Sequence, residues 1–192
     1  MLELSVAASG RAGRICANAG QVILIREEKN QSGSMLLEKM FQICKDSLPH
    51  VTIRYVPREP VLFDESVREN ICMGVPYDAE SFSAVLEQTD LLRDVSAFEG
   101  GFLKNVGKSG TAISGGQKKR IGIARALYAE PDILLIDGFT DQVDRQTEET
   151  MIARILKSFH GIVFIVSNSE KIEGVADQVI GGGGFLDLPA GR

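Results

Sequence analysis

Residues 106–137 read VGKSGTAISGGQKKRIGIARALYAEPDILLID. Ser114 is a good N-cap, and the residues after it run without a helix breaker to Tyr128, with Pro131 just beyond. The spacing predicts a long helix over 114–128. Its N-terminus carries Ser114-Gly115-Gly116: free backbone N–H groups, the positive end of a helix dipole, and no bulky side chain. That is a seat for a phosphate, although from the cap alone an ordinary capped helix with glycine for close packing is the simpler reading. After the helix, the apolar run Ile133–Ile136 leads into Asp137, as in a buried strand that delivers a carboxylate to a site. The next residue is Gly138, which has no side chain with which to do chemistry.

Working outward, the same alternation recurs. VILI at 22–25, VTIRYV at 51–56 and GIVFIV at 161–166 read as buried or β-branched strands, and DQVIGGGGFL holds one or two more short strands. Ser34 opens a helix with Leu37, Met40, Phe41 and Cys44 at helical spacing. Asp64-Glu65-Ser66 starts a short helix toward Cys72, Asp78 caps another through Leu86, and 145–159 is helical. Residues 99–112 form a Gly-rich loop, and residues 1–20 show only weak alternation in Leu2, Leu4 and Val6. Strands alternating with helices mean an α/β fold with a mostly parallel sheet.

Length and composition bound the function. The 192 residues suit one domain with a real core, with 44% hydrophobic and 24% charged residues. A net charge of −5 opposes nucleic-acid binding, and the basic cluster Lys118-Lys119-Arg120 lies inside the helical pattern. Cys16, Cys44 and Cys72 are scattered and odd in number, His50 and His160 give no metal-ligand spacing, and reduced thiols in a cytosolic protein are expected. No apolar run approaches the roughly 20 residues of a membrane span. A membrane role would come through a partner or through polypeptide outside this chain.

The stretch 106–137 as a whole resembles the segment of ATP-binding cassette (ABC) ATPases that runs from the loop before the signature motif to the Walker B strand. YVPREPVLFDESVRENI, 55–71, resembles the Q-loop and following helix of exporter-type members. TDQVD, 140–144, matches the position of the D-loop, and VSNSEKI, 166–172, the switch region. The resemblance covers roughly residues 20–183 and is most specific from 51 to 145. It implies a P-loop NTPase-type ABC ATPase fold: one domain over 1–192, a mostly parallel sheet, and a helical subdomain at about 64–130 with its insertion at about 64–105. Relatives place a β-hairpin between the first helix and the Q-loop strand. About a dozen residues separate Leu36 from Val51 here, so the antiparallel β subdomain is expected to be reduced.

Members of the family work as head-to-tail dimers, each ATP held between the Walker motifs of one subunit and the signature of the other. Against that pattern this chain departs at several positions. The phosphate loop G-x-x-x-x-G-K-[ST] registers on residues 27–34, which places its first Gly on Glu27, its second on Ser32 and its Lys on Gly33. Ser34 keeps the magnesium-ligand position. Lys29 stands four positions early for the missing cation. Glu27 and Glu28 bring negative charge; two like charges about 4 Å apart repel by roughly 4 kcal/mol at an effective dielectric near 20. No aromatic residue precedes Phe41 to stack on an adenine. Arg58 replaces the Q-loop Gln, and contact with a phosphate or acidic partner is weighed evenly against a solvated loop charge. Asp137 keeps the Walker B carboxylate, Gly138 replaces the catalytic Glu, and Asn168 replaces the switch His.

Two elements persist, the signature Ser114, Gly115, Gly116 and Gln117, and Asp144 of the D-loop. Both serve the other subunit's ATP. The resemblance implies a nucleotide-binding domain of a transporter that is hydrolysis-deficient, with no intact catalytic residue. It implies Mg-ATP only at a site shared with a partner, with Ser34 and Asp137 as weak magnesium positions. The implied partners are a second ABC ATPase domain, as homo- or heterodimer, and transmembrane domains that hold this one at the cytoplasmic face of a membrane; Phe63–Asn70 and Asn105-Val106-Gly107 resemble the surfaces that touch them. No nucleic acid is expected. An active ATPase with a rearranged site and a non-nucleotide scaffold on the same fold are the alternatives. The base position at Gly138 is expected to be free to vary.

Overall fold

A computed structural model describes residues 2–8, 11–27, 32–138 and 145–181. The chain divides into two compact units. One comprises Met1–Tyr55, Pro131–Thr140 and Phe159–Arg192, the other Val56–Glu130 and Asp141–Ser158.

The first unit is built on apolar strands. β1 (Leu2–Ala8) and β2 (Arg11–Ala17) form an antiparallel pair. The main sheet holds β3 (Val22–Arg26), β4 (Ile53–Val56), β5 (Ile133–Ile136), β6 (Ile162–Val166) and β7 (Gln178–Gly181) in the order β4-β5-β6-β3-β7. β3 runs parallel to β6 and β7, and β5 parallel to β6, with Val22 opposite Val163 and Ile136 opposite Ile165. Every residue of β5 and β6 is buried. That is why these strands read as unbroken apolar runs rather than as alternating ones. α1 (Ser32–Ser47) lays Leu36, Leu37, Met40 and Cys44 against Ile23, Ile25, Leu135, Phe164 and Val166. Each such side chain contributes roughly 1.5–3 kcal/mol on leaving water. Burial pushes the Cys44 thiol up to about 11. From Leu48 to Thr52 the chain only turns, and no strand intervenes between α1 and β4. The antiparallel portion described is therefore small.

The second unit is helical. α2 (Val67–Cys72) starts at a capping box in which Ser66 and Glu69 satisfy each other's backbone N–H. α3 (Ala79–Gln88) starts at Asp78, whose carboxylate accepts from Ser81 N at 2.8 Å. α4 (Leu92–Ala97), α5 (Gly115–Tyr128) and α6 (Arg145–Ser158) follow. Phe82 anchors the unit's aromatic cluster with Tyr77, Phe102 and Tyr128. A groove of about 980 Å³ between α3, α4 and α6 is lined by Ala84, Leu92 and Arg154 among others, and contains none of the signature residues.

Two local expectations are corrected, and two short helices are added. The strand expected over 51–56 starts at Ile53, because the Thr52 amide and hydroxyl donate instead to Asp132, each at 2.7 Å. α4 lies inside the helical insertion expected at about 64–105, where no separate helix was read; it begins without a side-chain cap, so no capping signal marks it. A six-residue helix, α7 (Glu170–Val175), falls where only the switch region was read. The loop at 99–112 contains two single 3-10 turns, Gly101–Leu103 and Lys108–Gly110.

Candidate functional site

In the strand-rich unit, the ends of β3, β5 and β6 and the start of α1 bring the candidate residues together. Ser34, in the first turn of α1, has its Oγ 2.7 Å from Asp137 Oδ1 and 3.1 Å from Glu27 Oε2. A hydroxyl has one hydrogen, so it donates to one carboxylate at a time, and the shorter contact favours Asp137. Tyr55 Oη donates to Asp137 Oδ2 at 3.2 Å. Asp137 is buried, 5% exposed, and this pairing is what such burial of a carboxylate requires. Glu27 Oε1 accepts the Gly33 N–H at 3.0 Å, and the Glu27 N–H donates to Asn168 Oδ1 at 3.0 Å. Asn168, Glu27 and Gly33 thus form one hydrogen-bonded run, Tyr55 bonds Asp137, and Ser34 Oγ stands between Glu27 and Asp137 and donates to one of them at a time.

Gly138 is buried and takes φ 61°, in the left-handed region. A side chain there is strained by roughly 1–2 kcal/mol. The expectation that this position is free to vary is corrected: the backbone turn leaving β5 favours glycine. Gly33 is tight as well, since a Cβ there would lie 3.0 Å from Val166 Cγ1 and 3.3 Å from Arg26 O.

Among the described residues of the stretch matched to the phosphate loop, Gly33 and Ser34 are already engaged by carboxylates and do not present free donors to a triphosphate. The Gly33 N–H, one of the donors that a helix N-terminus offers a phosphate, is taken by a carboxylate. The hydroxyl at the magnesium position points its contacts at two carboxylates. Among the described residues no group of three His, Cys, Asp or Glu side chains is placed to hold a metal ion. Lys29 lies outside the described residues.

In the helical unit, α5 begins at a second capping box: Gln117 N donates to Ser114 Oγ at 3.2 Å and Ser114 N to Gln117 Oε1 at 2.9 Å. Ser114 and Gly115 are exposed and Gly116 half-buried. The Gly115 and Gly116 amides have no hydrogen-bond partner among the described residues. Asp94 of α4 braces this end from behind. It accepts from Gln117 Nε2 at 2.7 Å and pairs with Arg120 Nη1 at 2.9 Å. Further along, Lys119 is 1% exposed, and its ammonium donates to Pro57 O at 2.8 Å and Arg58 O at 3.4 Å. Arg125 donates to Asn70 O, Val61 O and Asn70 Oδ1. So the backbone at Arg58 is tied to the signature helix. Asp144 lies outside the described residues.

Three participants escaped the sequence reading as site residues: Tyr55, Asp94 and Lys119. Lys119 alone left a legible signal. It stands at i−4 and i−8 from Ile123 and Leu127, on the apolar stripe of α5, where a lysine needs buried acceptors.

Comparison with known proteins agrees with this architecture. The family profile described as ABC transporter matches residues 22–141, more than half of the chain. The vacuolar heme ABC transmembrane exporter abc3 of Schizosaccharomyces pombe is 36% identical over 104 residues, covering 54% of this chain and 7% of that protein. The human ATP-binding cassette sub-family C member 2 is 31% identical over 142 residues, covering 72% and 9%. The probable multidrug resistance ABC transporter ATP-binding/permease protein YheI of Bacillus subtilis is 37% identical over 131 residues, covering 67% and 22%. The chain therefore spans 7% to 22% of the length of these relatives. Its fold is similar to part of a bacterial Atm1-family ABC exporter solved with ATP bound, at a TM-score of 0.79 and 20% identity, covering 92% of this chain and 34% of that one.

Proposed function

This chain belongs to the ABC transporter family and carries a segment of its nucleotide-binding domain, and we propose that within a transporter it does not hydrolyse ATP itself but lends its signature motif to a partner's ATP. The observation that carries this reading is the contrast at the two helix starts. Gly33 N–H is occupied by a carboxylate, whereas the Gly115 and Gly116 amides stand without partners at the exposed end of α5.

In this reading residues 1–192 act as one ABC ATPase-like domain with a helical subdomain at about 64–130. Ser114, Gly115, Gly116 and Gln117, with Asp144, face a nucleotide held by the second ATPase domain. A γ-phosphate there would receive backbone N–H groups and the positive end of α5. Ser34 and Asp137 are left as weak magnesium positions, and Gly138 offers no base. Base loss alone slows a reaction by about 10²–10⁴. No described helix is long and apolar enough to cross a membrane. Attachment at the cytoplasmic face would come through transmembrane domains, docking where Val61, Phe63, Met73 and Tyr77 expose large apolar side chains around α2.

The experiment is calorimetric titration of Mg-ATP, then an ATPase assay with a partner domain that has a complete phosphate loop. The chain alone is expected to show no saturable binding near ~1 µM, about −8 kcal/mol. With the partner it is expected to stimulate hydrolysis, and Gly116→Asp is expected to remove that stimulation by about 10²-fold or more while leaving the melting temperature nearly unchanged. Micromolar binding by the chain alone overturns the first half. Equal stimulation by wild type and Gly116→Asp overturns the second, and leaves a scaffold that kept only the fold.

A further inference from the structure

We propose that Glu27 is an internal occupant of the phosphate seat, an autoinhibitory contact in which its carboxylate holds the start of α1 closed and Asn168 holds Glu27 in place. The inference rests on the reading that the chain's own nucleotide site is degenerate, and it gives the reason: the site is filled from within.

The argument starts from the helix. α1 is 16 residues long, and its first N–H groups have no partners inside the helix. An anion at that end is favoured by the dipole and by the free donors. No acidic residue lies in the first turn of α1 itself. The anion is supplied by Glu27, six residues before Gly33, whose Oε1 takes the Gly33 N–H at 3.0 Å while Oε2 lies 3.1 Å from Ser34 Oγ. The two carboxylate oxygens thus span the Gly33 backbone donor that a phosphate would use and the Ser34 hydroxyl at the magnesium position. Being tethered, the carboxylate competes without the loss of translational freedom that a free ligand incurs.

The position is fixed from the other side as well. The Glu27 N–H donates to Asn168 Oδ1, across 141 residues of sequence. Glu27 stands at the position matched to the first glycine of the phosphate loop, and Asn168 at the position matched to the switch histidine. These two departures are bonded to each other, and Ser34, next to the Gly33 that Glu27 holds, has its hydroxyl 2.7 Å from Asp137. A glycine at 27 would supply no carboxylate. The altered positions are therefore parts of one structure that substitutes for a ligand.

The test uses the full chain, with tripolyphosphate as the probe. The wild type is expected to show no saturable binding by calorimetry up to about millimolar concentration. Glu27→Ala is expected to bind at least tenfold more tightly. Glu27→Gln, which keeps an acceptor over Gly33 but loses the charge, is expected to fall between them. Amide hydrogen exchange at Gly33 gives a readout without any ligand: exchange is expected to quicken at least tenfold in Glu27→Ala. Equal tripolyphosphate affinity in wild type and Glu27→Ala overturns the proposal, as does an unchanged Gly33 exchange rate, and so does failure of every variant to bind. If Glu27→Ala does not fold, the near-isosteric Glu27→Gln carries the same two measurements. None of these results alters the Gly116→Asp experiment, which reads the other helix start, so the two proposals fail separately.

Discussion

The starts of α1 and α5 are the same physical object used in opposite ways. Both open with small residues, Ser32-Gly33-Ser34 and Ser114-Gly115-Gly116, and both present backbone donors at the positive end of a helix of 14 or more residues. At α1 the end is buried at Gly33 and closed by the Glu27 carboxylate. At α5 the end is exposed, and the cap is a neutral pair, Ser114 and Gln117, with no acidic residue in the first turn. A neutral cap satisfies two donors and leaves the dipole uncompensated. The difference is in what meets the small residues: the chain's own carboxylate at α1, and a neutral cap with two amides left without a described partner at α5.

The largest expected effect tests how α5 is held. Lys119 is buried, and its ammonium bonds the carbonyls of Pro57 and Arg58. Lys119→Ala removes a buried chain of methylenes and leaves carbonyls short of a donor, an expected loss of roughly 3 kcal/mol in chemical denaturation. Lys119→Met keeps the volume and is expected to cost less. A loss below about 0.5 kcal/mol for alanine would mean that the tie between α5 and residues 57–58 is not structural, and that the open end of α5 is positioned by Asp94 alone.

A middle-sized effect tests the closed end. Gly138 has φ 61° beside Asp137, so Gly138→Ala is expected to cost roughly 1–2 kcal/mol. Gly138→Glu adds the burial of a carboxylate to that strain and is expected to give no measurable ATP hydrolysis. A base accelerates only a substrate that is bound and positioned. Turnover clearly above the unmodified chain would show that the start of α1 is open to a triphosphate, and the contrast with α5 would dissolve.

What the sequence disclosed follows from the range of the interactions. The extents of α5 and of β3, β5 and β6 were legible because each is set by its own residues: a Ser114 cap with Pro131 beyond, and apolar runs buried on both sides. α4 and α7 were not legible, since neither has a side-chain cap bond to announce it. The site was legible as a set of departures at positions 27, 32, 33, 58, 138 and 168, but not as a network. Its bonds join residues 82, 103 and 141 apart, and no local pattern encodes those pairs. Glu27 reads in the sequence only as a charge near a phosphate position; its bonds to Gly33 and Ser34 are made six and seven residues away, and no local pattern encodes them. The left-handed backbone at Gly138 was likewise invisible, since glycine there reads equally well as a lost base.

The smallest expected effect sharpens the comparison through pH. α2 and α3 are capped by carboxylates of their own. Glu69 is held below its ordinary value by the Ser66 side chain and then the Ser66 backbone, and Asp78 below its own by the backbone and side chain of Ser81. A carboxyl whose value is depressed in the folded state contributes stability that is present above its unfolded value, about 4, and is lost as pH falls through the lower folded value. The α5 cap, built from a hydroxyl and an amide, does not titrate. Acidification from pH 6 toward pH 2 is therefore expected to quicken intrinsic-rate-corrected hydrogen exchange at the Ser66 and Ser81 amides, which donate to the Glu69 and Asp78 carboxylates, before that at Ser114. Glu69→Gln and Asp78→Asn should each flatten the acid limb at their own helix only. Parallel loosening of all three amides in the wild type would mean that acid acts on the unit as a whole, and that the neutral cap of α5 does not set it apart from its neighbours.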